Sequence, residues 1–438
     1  MRRVLVLSHT TGYQLRAFND AAETLGFQLV FATDRCQHLD DPWQDRAIPV
    51  RFFDVPASVA AIVRQAGEFP IDGLIAVGDQ PVVLAAHAAS ALNLPWHSVG
   101  GAIASTDKRR SRAALMAAGL PSPRHAVVSA RDANVESEAG ATYPCVLKPI
   151  GLSGSRGVIR ANSPREFLAA RERIAALLAR PQIRAARTGL EDQILVEEYI
   201  DGREFAVEGL MTNGALRVFA IFDKPDPLEG PFFEETIYVT PSRLDLAAQR
   251  LIVDHVQRGA VALGLHHGPV HAECRVTPGG QVYVLEIAGR PIGGLCSRVL
   301  SFRATTADAA IAGNRAEPTR YQSPFDTLES VLLRHAVGEP VDRYIREPSA
   351  AAVMMMPIPQ RGMFRRVEGV ETARGVAGIT DLRITAKEGQ LLEPLPEAGS
   401  YLGFIFARGE TPADAEAAVR QAHRHLEFDI TRPLLAGR

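Results

Sequence analysis

The sequence carries almost no surplus charge: 48 Lys plus Arg stand against 50 Asp plus Glu, a net charge of −2. A chain so balanced lacks the electrostatic footprint of a nucleic-acid or membrane-surface partner. Cysteine is scarce. The four present, Cys36, Cys145, Cys274 and Cys296, include no C-x-x-C pair. Neither a disulfide framework nor a zinc site is expected, which suits a reducing compartment. Long apolar runs are missing too. The longest, Ala350–Ile358, is broken by Pro357 and is too short to span a bilayer. The run after Met1-Arg2-Arg3, Val4–Leu7, is too short for a signal-peptide core and reads as a buried strand. There is no internal repeat and no low-complexity tract. These absences leave a cytoplasmic globular protein as the expectation, and 46% apolar residues are enough for a full core.

What is present falls into three stretches. Residues 1–103 alternate strand and helix signals: Val4–Leu7, an amphipathic Gln14–Leu25 ending at Gly26, Gln28–Ala32, Gly73–Val77 and a helical Pro81–Leu92. Such alternation predicts a small Rossmann-like unit with a parallel sheet. In residues 104–312, Thr106 or Asp107 can cap a helix stopped by Gly119. Short β runs then follow, separated by long helical patterns at Pro164–Leu178 and Leu244–Leu263. This predicts an α+β domain, with Arg180–Asp192 as a surface loop. Residues 313–438 predict a third, α+β domain. Its strands fall at Val353–Met356, Met363–Val367, Leu382–Ile384 and Leu402–Ala407, and its helix at Pro412–His425 is capped by Thr411. The fold class is therefore α/β followed by α+β.

Three segments can carry chemistry. Tyr143–Pro149 is a buried strand ending in Lys148, followed by the small-residue loop Ile150–Gly157. Such a loop can wrap backbone N–H groups around phosphate, with Lys148 as a point charge. It is not a P-loop, because Gly-Lys-Ser/Thr is absent. A hairpin loop with a surface lysine is the bland alternative. Next, Ile194–Glu204 is a strand, a polar turn and another acid. Its backbone can meet an adenine edge, and Glu204 can accept from ribose hydroxyls; solvated acids on a hairpin are the alternative. Finally, His271–Val276 and Gln281–Ile287 read as a hairpin closing at Pro278-Gly279-Gly280, with Glu273 and Glu286 in otherwise apolar strands. Two half-buried like charges side by side repel unless a cation lies between them, and hard oxygen ligands suit Mg²⁺. Arg290 follows, placed to neutralise a phosphoryl group; glutamates at the exposed rim of a hairpin and a salt-bridged surface arginine are the alternatives.

Taken in order, Lys108, Lys148, the loop 151–157, Glu197-Glu198-Tyr199-Ile200, Glu273, Glu286 and Arg290 resemble the ATP-grasp superfamily over about residues 1–312. The resemblance implies an ATP-grasp fold with an N-terminal Rossmann-like domain. It gives ATP binding to Lys108, Lys148, Ser153, Gly154, Ser155, Gly157, Glu197, Glu198, Tyr199, Ile200 and Glu204. It gives Mg²⁺ ligation, by one or two ions with Mn²⁺ as a substitute, to Glu273 and Glu286, and transition-state stabilisation to Arg290. One departure stands out: the family's Glu-Ile-Asn-Pro-Arg is Glu286-Ile287-Ala288-Gly289-Arg290 here, and Ala288 cannot ligate a metal. That change, with Gly293-Gly294 following, resembles the L-amino acid ligase branch, as does the C-terminal domain.

The Pro- and Gly-rich segment 223–242 reads as a loop, of the kind that walls or covers a substrate. By resemblance Glu235 meets a substrate amino group, while Lys224 can hold an anionic one; a mobile loop with a solvated Glu234-Glu235 pair is the alternative. Gly293 and Gly294 allow close backbone approach; a simple turn before a helix near Cys296–Ala304 is the alternative. His271 lies beside the metal site, and its alternative is a packed core histidine. Cys274 and the Met354-Met355-Met356 run read as core. The expected activity is an ATP-dependent carboxylate–amine ligase joining L-amino acids through an acyl phosphate, acting on small molecules, with a homodimer implied by the resemblance. A biotin-dependent carboxylase component and a non-catalytic ATP-binding protein are the competing readings.

Overall fold

Val4, Leu5, Val6 and Leu7 have no exposed surface, because they form the centre of a parallel sheet. In the computed structural model, which describes residues 1–9, 14–34, 47–131, 140–305 and 325–431, strand β1 (Arg3–Ser8) is flanked by β2 (Gln28–Thr33). A two-residue β3 (Ile48–Pro49) lies beyond β2, and β4 (Gly73–Val77) lies on β1's other side. Parallel strands need crossover helices. Leu15–Leu25 supplies one and stops at Gly26, whose φ of +69° is left-handed. Val55–Glu68 supplies another, which the sequence reading did not identify; the Asp54 carboxylate caps it by accepting from the Ala57 N–H. Cys36 lies outside the described residues.

The second sheet is antiparallel, in the order β5 (His125–Ser129), β8 (Gln193–Glu198), β6 (Cys145–Pro149) and β7 (Ile159–Ala161). Helix Pro164–Leu178 covers it through Phe167, Ile174 and Leu177. The expected Arg180–Asp192 loop contains one short helix, Pro181–Arg184.

The third sheet has eight strands. β9 (Arg203–Thr212), β10 (Ala215–Asp223) and β11 (Ile237–Thr240) run through its middle, with β12 (Gly268–Val276) and β13 (Val282–Ala288) on one edge. The chain after β13 differs from the expected helix near Cys296–Ala304. A single 3₁₀ turn, Cys296–Val299, leads into β14 (Ser301–Ala304), which pairs with β15 (Asp326–Thr327) and β16 (Tyr344–Arg346). Alternating Phe302 and exposed Arg303 suit a strand edge better than a helix face.

The C-terminal strands are divided between the large sheet and a small sheet of their own. β17 (Ala350–Met356) pairs antiparallel with β11, from Ile237 opposite Met354 to Thr240 opposite Ala351. Strand β18 (Gly362–Glu368) belongs to a small separate sheet. β19 (Ile379–Ile384) forms the far edge of the large one. β20 (Leu391–Leu392) joins β18, β21 (Gly403–Gly409) lies between β17 and β19, and β22 (Glu427–Thr431) completes the small sheet. A domain border at 312, inside residues outside the description, therefore marks no break in the sheet. β17 and β21 are buried on both faces. Ala351, Val353, Met355, Phe404 and Phe406 face the core shared with the N-terminal unit. Ala352, Met354, Met356, Ile405 and Ala407 face helix Pro412–Arg424, which begins with a capping box between Thr411 and Asp414.

Helix Leu328–Ala336 ties the C-terminal part to the first sheet. It packs on helix Leu15–Leu25 and on β4. The approach is so close that a Cβ on Gly73 would lie 2.1 Å from the Ala336 carbonyl oxygen. Gly73→Ala is expected to lower stability by about 1–3 kcal/mol through overpacking. Gly67→Ala, in open space on helix Val55–Glu68, should be neutral or stabilising by up to about 1 kcal/mol. Thermal unfolding of both variants checks the pair, and an unchanged midpoint for Gly73→Ala would contradict the packing.

Candidate functional site

All three sheets border one cavity of about 520 Å³. Its floor is the face of β9, β12 and β13 that turns away from helix Leu246–Leu263. On β12, Val270, Ala272 and Cys274 are packed in the core with that helix, which leaves His271, Glu273 and Arg275 for the cavity. On β9, Glu204 and Glu208 lie opposite Arg275 and His271.

The β12–β13 hairpin does not keep a regular register. Val276 pairs with Val282, Arg275 with Tyr283 and Cys274 with Val284, but Glu273 pairs with Glu286. Leu285 is skipped, a bulge that reverses the alternation along β13. Val282 and Val284 face the helix before it, and Ile287 does so after it. An unbroken ladder would set Glu273 against Leu285 and turn Glu286 to the opposite face. The bulge is what brings Glu286 and Ala288 to the cavity.

Cations surround this floor. Lys148 Nζ lies 2.6 Å from Glu197 Oε2, and Arg112 Nε lies 2.5 Å from Glu197 Oε1. Arg112 is fully buried and also donates to the Leu285 carbonyl at 2.7 Å, tying β8 to the bulge. Burial opposes ionisation of Glu197, yet Arg112 and Lys148 outweigh it and hold the carboxyl at about 2. Lys108, first in the helix Lys108–Ala117 capped by Asp107, donates to the Leu152 carbonyl at 2.6 Å and stands 4.0 Å from Glu286. Arg290 Nε meets Asp79 Oδ1 at 2.7 Å. Burial disfavours the Arg290 charge, but Asp79 keeps the guanidinium protonated.

Deeper in the floor, acids outnumber bases. Lys224 Nζ lies 2.7 Å from Glu204, 2.6 Å from Glu235 and 3.4 Å from Glu273. Arg275 Nε donates to Glu204 at 3.0 Å, and Tyr238 Oη to Glu235 at 2.8 Å. Burial and the charge of Glu235 push the Glu273 carboxyl up. Burial acts the same way on Glu235, but Lys224 together with hydrogen bonds from Glu273 and Tyr238 brings it down to about 2. Oxygens of Glu204, Glu235 and Glu273 lie within 4.8 Å of one another, a hard-donor set of the kind divalent cations take. His271 Nδ1 is 3.0 Å from Glu208 Oε2, and Glu208 also accepts from the Ile292 N–H. Burial, reinforced by Arg290 and Lys224, lowers His271 to about 3, so its imidazole is neutral at pH 7.

Of the residues singled out from the sequence, Lys108, Lys148, Ser153, Gly154, Ser155, Glu197, Glu198, Tyr199, Ile200, Glu204, Glu235, His271, Glu273, Glu286, Arg290, Gly293 and Gly294 line this cavity. Two do not. Gly157 turns away, at φ +73°, where a Cβ would meet Pro149 at 2.5 Å, so its role is to let the loop pack. Lys224 is buried behind the wall with three carboxylates around it, so it is a fixed counter-ion rather than a free anion holder. The expected loop over 223–242 includes strand β11 at Ile237–Thr240. Asp79, Arg112, Glu208, Arg275 and Tyr238 were missed. Only Asp79 left a local signal, as an acid at the carboxyl end of a parallel strand. Met355, read as core, borders the cavity because strand alternation splits it from Met354 and Met356.

Sequence families match three stretches of the chain: an ATP-grasp N-terminal domain over residues 19–96, an ATP-grasp domain over 141–299 and L-amino acid ligase C-terminal domain 2 over 354–431. The chain belongs to the ATP-grasp family. The last of these matches gives the chain a C-terminal domain of the kind found in L-amino acid ligases. An uncharacterized protein of Sinorhizobium fredii is 25% identical over 441 residues, covering 98% of this chain and 84% of that one. The alanine–anticapsin ligase of Bacillus subtilis is 28% identical over 246 residues, 54% of this chain and 52% of the ligase; the match thus spans about half of that relative. The crystal structure of L-amino acid ligase from Bacillus licheniformis has the same fold, with a TM-score of 0.78, 24% identity and 99% coverage of both chains.

The Glu197 cluster makes acid stability a test of this geometry. Its carboxyl falls from an ordinary 4.5 to about 2 on folding. The stabilisation is therefore complete above pH 4.5 and is lost as pH falls from 4.5 towards 2. Arg112→Met should destabilise the protein by about 3–5 kcal/mol, by leaving a buried charge short of a partner. It should also reduce the slope of stability against pH in that window, as read by denaturant unfolding at several pH values. An unaltered slope would rule out the buried pair as its source.

Proposed function

We propose that the protein is an ATP-dependent carboxylate–amine ligase that joins L-amino acids through an acyl phosphate, releasing ADP and phosphate. The observation that carries this reading is the side-by-side pairing of Glu273 and Glu286 on the cavity face, ringed by Lys108, Lys148 and Arg290. The acids Glu273 and Glu286 suit Mg²⁺, with Glu204 and Glu235 behind them; Mg²⁺, when bound, supplies positive charge for nucleotide phosphates. Ala288 adds a methyl group and no ligand to that set.

The substrate carboxylate attacks the γ-phosphorus of ATP, and ADP leaves. The amine of the second substrate then attacks the acyl carbon, and phosphate leaves. Such chemistry asks the chain mainly to position groups and offset charge. Lys108 and Lys148 are set to hold phosphate oxygens beneath the loop 151–157. Arg290, oriented by Asp79, is set to neutralise the transferring group. His271 stays neutral, and the buried carboxylates repel bulk anions. On this reading the substrates are small molecules, the setting is cytoplasmic and the assembly is a homodimer, which light scattering would check. Among the described residues no helix is long and apolar enough to cross a membrane.

The reaction is tested by measuring ADP and phosphate release over pairs of L-amino acids, without bicarbonate or biotin, and weighing the products. Dipeptide masses are the expected result; turnover only with bicarbonate and biotin would favour a carboxylase component instead. Glu286→Gln should lower kcat at least ~100-fold, about 2.7 kcal/mol of barrier, with unfolding unchanged. Full activity in that variant would support a non-catalytic ATP-binding role.

A further inference from the structure

The cavity has two chemically different ends. One carries the lysines, the acids and Arg290. At the other, β17 and β21 contribute the apolar side chains Met355 and Phe404, and the turn before β21 adds Ser400 and Tyr401. Phe404 meets Tyr401 edge to face at 6.0 Å and stacks on Phe406 at 6.3 Å, so its ring is held on two sides. Tyr238 spends its hydroxyl on Glu235 at 2.8 Å, and with Lys224 over its ring at 5.2 Å and the Phe222 ring at 5.6 Å it offers the cavity only part of its ring. Gly294, at φ +61°, lies against Phe404, where a Cβ would sit 3.1 Å from the ring. At Gly293 a Cβ would meet nothing within 4 Å. The glycine pair therefore keeps a space open between the turn after Arg290 and the aromatic wall.

We propose that this recess, walled by Met355, Phe404, Tyr401 and Tyr238, takes the side chain of the activated amino acid, and that this side chain is uncharged and apolar, of the size of leucine, methionine or phenylalanine. The inference rests on the ligase reading. A carboxylate held at Arg290 directs the rest of its molecule past Gly293 toward the recess. Met355 and Phe404 carry no hydrogen-bonding group suited to a polar side chain and the Tyr238 hydroxyl is committed to Glu235, so of these four walls Tyr401 alone has a hydroxyl to offer, and a charged side chain would lose its water for at most one neutral partner. An apolar one gains about 0.8 kcal/mol for each buried methylene. The residues that set specificity thus come from the C-terminal strands, while those that set the reaction come from the ATP-grasp domain.

The test isolates the first half-reaction. Full-length protein, ATP, Mg²⁺ and hydroxylamine are incubated with single L-amino acids, and the hydroxamate formed from the acyl phosphate is measured. Leucine, methionine and phenylalanine are expected to exceed aspartate, lysine and serine at least tenfold in kcat/KM. Two variants change the recess in opposite directions. Met355→Phe should narrow it and shift the ratio of alanine to phenylalanine upward by roughly 10-fold or more, within the range a few methylenes discriminate. Phe404→Leu should widen it and shift that ratio downward. A purely structural role would depress all substrates alike and leave the ratio fixed, which would overturn the proposal. So would a wild-type preference for charged or hydroxylated amino acids, and the ligase reading would survive both results. Absence of hydroxamate from every amino acid would remove the ligase reading, and this inference with it.

Discussion

A single skipped residue in one β ladder underlies the site. Between Glu273 and Cys274 the β12–β13 hairpin passes over Leu285, and every side chain beyond that point changes face. Glu286 reaches the cavity for this reason alone. The bulge is not left to the ladder: Arg112, buried in a different helix, donates to the carbonyls of Val284 and Leu285 while its Nε pairs with Glu197. The same guanidinium thus fixes the bulge, and through Glu197 fixes Lys148. An extra residue in an antiparallel pair is a common device for re-aiming a side chain next to a site.

Charge in the site is arranged so that few groups are free. Each cation that faces the cavity already has an acid beside it: Lys148 has Glu197, Arg290 has Asp79, Arg275 has Glu204. Lys224 sits behind the wall among Glu204, Glu235 and Glu273. A buried ion pair is expensive to desolvate, and such pairs hold geometry more dependably than they add stability. Three acids share one lysine and one arginine, and burial together with the charge of Glu235 pushes the third, Glu273, up toward its neutral form. The loop 151–157 is anchored from outside as well. The Gly157 N–H donates to the Pro396 carbonyl at 2.8 Å, and Arg173 holds Glu397 through two bonds of 2.5 and 2.9 Å.

The C-terminal strands give this arrangement its far wall. Because β17 continues the sheet from β11, one face of β17 and β21 closes the cavity and the other buries a second core under helix Pro412–Arg424. Alternating side chains on one strand serve two purposes at once. That division explains why three successive methionines, identical in composition, have different surroundings.

The sequence by itself determined the elements and their order. Period-two and period-3.6 patterns located β1, β2, β4, β12, helix Pro164–Leu178 and helix Leu246–Leu263 within a few residues, since these depend on burying a local apolar face. It also determined the chemistry on offer, because lysine after a buried strand and glutamates in apolar strands are legible in one dimension. Only the tertiary structure decided which of those groups meet. The partners Asp79–Arg290, Arg112–Glu197 and Glu208–His271 are 211, 85 and 63 residues apart, and no local pattern encodes contacts over such separations. The side of the sheet on which Glu286 emerges was likewise decided there, because a one-residue bulge leaves no periodic trace strong enough to read, yet reverses the face of all that follows.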